Sequence, residues 1–302
     1  MVESMIVTKG LTKNYGKNRG VFDMNLDIKR GEVFGIVGVN GAGKTTTLRI
    51  LMGFLKSSRG KVTIKGKDVW KESAALKRII GYVPGEIAFP DTKSGQTFLK
   101  MQLELLRQKS QNNARVNHLI QLLKIDTTAD IKRMSKGMKQ KVALVCAFMT
   151  DADVLLLDEP TTGLDPVMRD VFIELVKDAK ANGTTVIMSS HMFNELEPTC
   201  DWIAFMKNGR IVQIIDDDDE EKERLAQLQK LDVQTELYRQ LTWPETSDVT
   251  VHRVDQERQR VSLIVPRKDT TELLYRWRNL DITNLTISDF GLDTYFAAEL
   301  EA

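Results

Sequence analysis

An α/β fold with a mostly parallel sheet is what this 302-residue sequence predicts. Three observations carry it: short, wholly apolar runs of strand length, amphipathic stretches of helix length between them, and a glycine-rich turn joining one such run to the next helix. The apolar runs are "EVFGIVG" (32–38), "IIGYVP" (79–84), "DVLLLDEP" (153–160) and "TTVIMSS" (184–190). Runs this apolar fit strands covered on both faces, the condition inside a parallel sheet. Helices are expected at "KTTTLRILMGF" (44–54) and at about 95–108, 111–123, 136–149 and 166–182. "MIVTKGLTKNY" and "VFDMNLDIKRG" alternate apolar and polar residues and predict an antiparallel edge. "MKNGRIVQI" (206–214) carries Asn208-Gly209, a strong hairpin turn.

The charge changes character near Asp216. Residues 216–302 hold 11 basic and 20 acidic side chains, residues 1–215 hold 32 and 22. A basic body and an acidic tail predict two units, 1–215 and 216–302, the first suited to anions. In the tail, "DDDDEEKERLAQLQK" reads as an acidic block opening a helix, its carboxylates at the positive end of the dipole. Beyond it, "DVTVHRVDQERQRVSLIV" reads as a hairpin, "DTTELLYRWRNL" as a helix, "ITNLTI" as a strand and "ISDFGLDTYFAAEL" as a last helix. The tail is thus a small α+β extension without evident chemistry.

Two cysteines, Cys146 and Cys200, fit reduced thiols in a cytosolic protein better than a disulfide framework. The first ten residues lack a basic leader before an apolar stretch, so no signal peptide is expected. Nothing approaches the roughly 20 apolar residues of a membrane-spanning helix.

"GVNGAGKT" (38–45) fits G-x-x-x-x-G-K-[ST] between an apolar strand and a helix. In this context it is a phosphate cradle of Gly38, Asn40, Gly41, Ala42, Gly43, Lys44, Thr45 and Thr46. Gly41 and Gly43 let backbone N–H groups turn inward around a phosphate, aided by the helix N-terminus. Lys44 reaches the β- and γ-phosphates, and the Thr45 hydroxyl suits Mg²⁺. "VLLLDEP" puts Asp158 at the carboxyl end of a strand, beside the ligand crevice, where it would hold Mg²⁺ through water. Glu159 follows at once, placed for a general base that orients the attacking water.

The stretch "RMSKGMKQKV" (133–142) carries Arg133, Lys136, Lys139 and Lys141. A solvated basic helix is one reading; a nucleic-acid patch is poorly supported, since no aromatics interleave with the charges. Here the sequence resembles the ATP-binding subunits of ABC transporters, through about residues 1–215, with a helical subdomain at about 86–149 on a P-loop NTPase core. "MSKGMKQ" (134–140) is similar to that family's signature loop, with Ser135 and Gly137 at its fixed positions. The resemblance implies that this loop caps the γ-phosphate held by a second subunit in a head-to-tail dimer. It also implies that Tyr15 stacks on adenine, that Asp165 in "GLDP" belongs to the loop connecting the two sites, and that His191 in "SSHMFNE" contacts the γ-phosphate. His118 and His252 have no such context and are expected to be surface or packing residues.

One departure stands out. The family's usual glutamine after "GYVP" is Gly85 here, with Glu86 next. Either Glu86 serves as the Mg²⁺ ligand from a shifted backbone, or that contact is lost. Lys136 and Met138 also depart from the usual signature, and "SKGMKQ" with "GYVPGE" resembles exporter-type subunits whose membrane partner is a separate chain.

The expectation is an ATPase using ATP and Mg²⁺, peripheral at the inner face of the cell membrane. It would dimerise on ATP, as a homodimer, and drive a separate transmembrane permease, in the direction of export. No direct nucleic-acid partner is expected. The alternative is a soluble ABC-type ATPase acting on ribosomes or DNA; a third reading is a module that senses ATP without hydrolysing it.

Overall fold

The computed structural model describes residues 3–90, 94–106, 111–216, 224, 226–244 and 247–291. The chain divides into two compact units, Met1–Asp216 and Asp217–Ala302.

The first unit holds two sheets. The alternating N-terminal segments become β1 (Ser4–Asn14) and β2 (Gly20–Lys29), which pair antiparallel. With β4 (Arg59–Ile64) and β5 (Lys67–Asp68) they form a four-stranded sheet in the order β2-β1-β4-β5. The apolar runs become β3 (Val33–Val37), β6 (Ile80–Val83), β7 (Val154–Asp158) and β8 (Thr185–Ser190). With β9 (Trp202–Lys207) and β10 (Arg210–Asp216) they make a six-stranded sheet in the order β10-β9-β3-β8-β7-β6. Every pairing in it is parallel except β9 with β10, whose turn is the expected Asn208-Gly209. β3, β7 and β8 are buried at every residue, which is why these segments are apolar without alternation.

The helices are α1 (Lys44–Leu51), α2 (Ser73–Leu76), α3 (Gly95–Leu105), α4 (Gln111–Leu122), α5 (Lys136–Phe148) and α6 (Pro166–Ala181). α1 touches β7 of one sheet and β2 and β4 of the other. Its Leu48, Ile50 and Leu51 join Ile36, Leu156 and Ile187 and the buried Met5, Ile6, Ile28 and Ile64 in one core cluster. Burying side chains of this size stabilises by about 1.5–3 kcal/mol each, so the cradle stands on the best-packed part of the molecule. α5 and α6 start on side-chain caps: Ser135 accepts from the Met138 N–H at 3.2 Å, and Asp165 accepts from the Met168 N–H at 3.0 Å. Pro166 occupies the first helical position of α6, where its missing N–H costs nothing.

The second unit is a four-stranded antiparallel sheet in the order β12-β13-β11-β14. Its strands are β11 (Leu228–Gln234), β12 (Thr250–Asp255), β13 (Arg260–Pro266) and β14 (Asn284–Asp289), and it carries α7 (Thr270–Arg276). Leu231, Val233, Leu263, Val265, Leu273 and Trp277 form its core. The hairpin, helix and strand expected from "DVTV" onward are present. The helix expected through residue 230 is corrected: Leu228–Gln234 is a strand, because Leu231 and Val233 alternate into the core while Asp232 between them does not. The acidic run at 217–223 lies outside the described residues. So does most of the last expected helix, of which Ile287–Asp289 belongs to β14.

Both cysteines are free. His118 is exposed and His252 half-buried, each away from the cleft described below. Among the described residues no helix is long and apolar enough to cross a membrane.

Candidate functional site

A cleft of about 530 Å³ opens where β3 turns into α1. Tyr15, Asn40, Gly41, Ala42, Gly43, Lys44, Thr45, Thr46, Glu86, Glu159 and His191 all line it. These residues were expected at one site from segments far apart in sequence, and the fold gathers them.

The turn 38–43 is shaped by its glycines. Gly43 sits at the N-cap of α1 with φ of 113°, a left-handed conformation that side chains resist. Gly38 does not line the cleft. A Cβ there would meet the Met206 carbonyl oxygen of β9 at 2.3 Å, so glycine lets the turn pass close to that strand. α1 has no side-chain cap and no acidic residue in its first turn, leaving its N–H groups and positive dipole end toward the cleft.

Lys44 is only 6% exposed, and its ammonium has specific partners. Nζ donates to the Gly38 carbonyl at 2.6 Å and lies 3.3 Å from Glu159 Oε1. The other carboxylate oxygen of Glu159 is 2.8 Å from His191 Nδ1. Glu159 therefore sits between a cation on α1 and an imidazole after β8. Its backbone has φ of 49°, uncommon for a side-chain-bearing residue, and its N–H donates to the Ser189 carbonyl at 3.2 Å.

Asp158 is fully buried at the end of β7. Ser189 Oγ donates to its Oδ1 at 2.6 Å, while Oδ2 is buried with no hydrogen-bond partner. An unpaired buried carboxylate oxygen is costly and invites a cation. The donor set here is all oxygen, the Thr45 hydroxyl with the carboxylates of Asp158 and Glu86, and it fits a hard ion such as Mg²⁺. Among the described residues no cluster of three or more His, Cys, Asp or Glu could hold a metal alone. Nucleotide phosphate oxygens would have to complete the shell.

Gly85 borders both Asp158 and the cleft. A Cβ at this position would lie 2.8 Å from Asp158 Oδ2 and 3.1 Å from its Cγ. The backbone passes too close to the buried carboxylate for a side chain to project there, whereas Glu86 is exposed and lines the cleft. Restoring glutamine, Gly85→Gln, is expected to push Asp158 off its Ser189 bond. It should destabilise the chain by about 1–3 kcal/mol and lower ATPase activity rather than raise it. Thermal unfolding and phosphate release check this.

Sequence reasoning missed several lining residues: Arg19, Arg49, Lys136 and Thr162. Arg19 folds back to Tyr15, whose N–H donates to the Arg19 carbonyl at 2.9 Å. Arg49 belongs to α1, one turn beyond the cradle, and its guanidinium bonds the phenol of Tyr82. Burial pushes Tyr82 up to about 12, with the Asp158 carboxylate adding to the shift and Arg49 opposing it. The five-residue spacing from Lys44 to Arg49 was the available signal; Arg19 had none. The Tyr15 ring is 57% exposed, with the Lys13 ammonium 5.6 Å from its centre, leaving a free aromatic face at the cleft's rim.

Ser135, Gly137 and Asp165 do not line the cleft of their own chain. Instead the signature loop and the segment before α6 touch each other: a Cβ at Gly137 would meet the Gly163 carbonyl oxygen at 2.5 Å. Ser135 is exposed beside this contact.

Comparison with known proteins adds the following. A family model described as ABC transporter matches residues 21–162. The bacitracin transport ATP-binding protein BcrA of Bacillus licheniformis is 27% identical over 300 residues, 98% of this chain and 97% of its own. A Nod factor export ATP-binding protein I of Paraburkholderia xenovorans is 32% identical over 213 residues, 70% of each chain. A solved ATP-binding subunit of an ABC transporter superposes with a TM-score of 0.68 at 26% identity, covering 73% of this chain and 93% of its own.

Proposed function

The chain belongs to the family of ABC transporter ATP-binding proteins, ATP-hydrolysing subunits that pair as dimers and work with a separate transmembrane component, and we propose that it serves an exporter as a homodimer. In this reading Met1–Asp216 is the ATP-binding domain and Asp217–Ala302 an accessory domain. The permease holds the protein at the inner face of the membrane. Export is supported by the Nod factor relative's name and by the "SKGMKQ" and "GYVPGE" stretches. The ribosome- or DNA-acting alternative is not favoured by these relatives.

The residue roles follow from the geometry. Tyr15 stacks on the base, and the cradle from Gly38 to Thr46 wraps the phosphates. Lys44 neutralises the β- and γ-phosphates by leaving Glu159 for them. Thr45 and Asp158 hold Mg²⁺, which when bound supplies charge neutralisation on the phosphate oxygens. Glu86 supports that ion from the rim. Glu159 orients the attacking water and takes its proton, and His191 holds the carboxylate in position from the opposite side. Ser135 and Gly137 cap the γ-phosphate bound by the other protomer, with Asp165 beside them.

The observation that carries this reading is the three-way contact of Lys44, Glu159 and His191 beneath an anion-binding helix end. A chain that only sensed ATP would not need an acid so placed. The test is purification of the tagged chain from membranes. Recovery of a multi-span protein together with ATP-dependent phosphate release is the expected result. Persistent association with ribosomes, without a membrane partner, would overturn the transport assignment.

A further inference from the structure

Behind His191 lies a set of side chains that the cleft does not use. Ser190 ends β8, and its hydroxyl accepts from the Met192 N–H at 3.0 Å, closing the tight turn that presents His191. The same hydroxyl donates to Glu195 Oε2. The Glu195 side chain is 8% exposed, and its other oxygen lies 3.6 Å from Nη1 of Arg169 on α6. Arg169 Nε is buried with no hydrogen-bond partner. One turn back, the Arg169 N–H donates to the carbonyl of Asp165, the residue that caps α6.

A carboxylate nine-tenths buried is expensive unless it is paired. The serine alone would be served equally well by a neutral acceptor, so the charge of Glu195 answers to Arg169. That pairing joins two elements that otherwise meet the site separately, the His191 turn and the first turn of α6. It is also incomplete: one Nη1 contact at 3.6 Å leaves Nε free for a second hydrogen bond, as a fork-like guanidinium–carboxylate pair would make.

We propose that Glu195 is a positioning residue that couples the His191 turn to the start of α6, so that phosphate contact at His191 and the placement of the Asp165 segment are set together. Closure of the second Arg169–Glu195 hydrogen bond draws the α6 start toward the His191 turn. The inference rests on the proposed reading of His191 and Asp165 as site residues, and adds the connection between them.

The test uses the full chain with Glu195→Ala, Glu195→Gln, Arg169→Met and the Glu195→Ala/Arg169→Met double variant. Four quantities are measured: ATPase rate, its Hill coefficient, nucleotide affinity of a single chain for ADP, and ATP-driven dimerisation in a Glu159→Gln background. Glu195→Ala is expected to lower kcat about tenfold and to weaken dimerisation, with ADP affinity changed less than about twofold. Arg169→Met moves in the same direction, and the double variant is no worse than Glu195→Ala alone. Glu195→Gln, which keeps the Ser190 bond and the volume, should fold where alanine does not and behave like Arg169→Met. Wild-type rates and Hill coefficients in both Glu195→Gln and Arg169→Met would overturn the coupling, as would losses that simply multiply in the double variant. A parent chain that neither hydrolyses ATP nor dimerises as Glu159→Gln would overturn the site reading beneath it, and this inference too.

Discussion

Glu159→Gln will leave a chain that binds ATP and accumulates as a dimer while turning over about 10²–10⁴-fold more slowly, the usual size of a general-base contribution. Glutamine has nearly the same shape, so the neighbours Lys44 and His191 lose little packing. What it lacks is the charge that would accept a proton. The substitution also removes the Lys44 ion pair at 3.3 Å, freeing the ammonium wholly for phosphate. ATP affinity should therefore hold or rise as hydrolysis falls. Phosphate release and size-exclusion chromatography with and without ATP read both halves. Normal turnover in this variant would remove Glu159 from its assigned role.

Gly137→Val should abolish the two-site sandwich while sparing ATP binding by one chain. The first added carbon would lie 2.5 Å from the Gly163 carbonyl oxygen, a backbone atom that cannot rotate away. The signature loop, the Gly163 turn or both must move, at a cost of about 1–3 kcal/mol for overpacking. Gly163 itself has φ of 81°, so the turn it occupies has few alternative conformations. Neither glycine lines the chain's own cleft, which is why single-chain binding should survive. Hydrolysis requires the assembled pair and should fall to the level of an isolated protomer. Equilibrium nucleotide binding and sedimentation separate the two effects; unchanged dimerisation would count against a shared site.

What the sequence made legible was local and contiguous. The cradle residues 38–46 act through a turn written in one stretch, and Asp158 and Glu159 follow directly from the strand that carries them. The His191–Glu159 contact spans 32 positions and was reached only through resemblance. Arg19 was invisible because nothing local distinguishes an arginine that borders a cleft from one in water. Gly85 was read as a missing contact, and only the folded chain shows the buried carboxylate that excludes a side chain there. β11 was misread for a different reason. The Leu225 and Leu228 spacing imitates a helix face, and the alternation of Leu231 and Val233 that marks the strand begins just afterwards.

The ammonium of Lys44 already faces one anionic neighbour, so an incoming ligand must win it by exchange. Chloride or a lone phosphate brings too few oxygens to displace a carboxylate held from its far side by an imidazole. A polyphosphate brings several at once. The cleft thereby discriminates by the number of charges a visitor carries before any base is recognised, and stays indifferent to the small ions that crowd the cell.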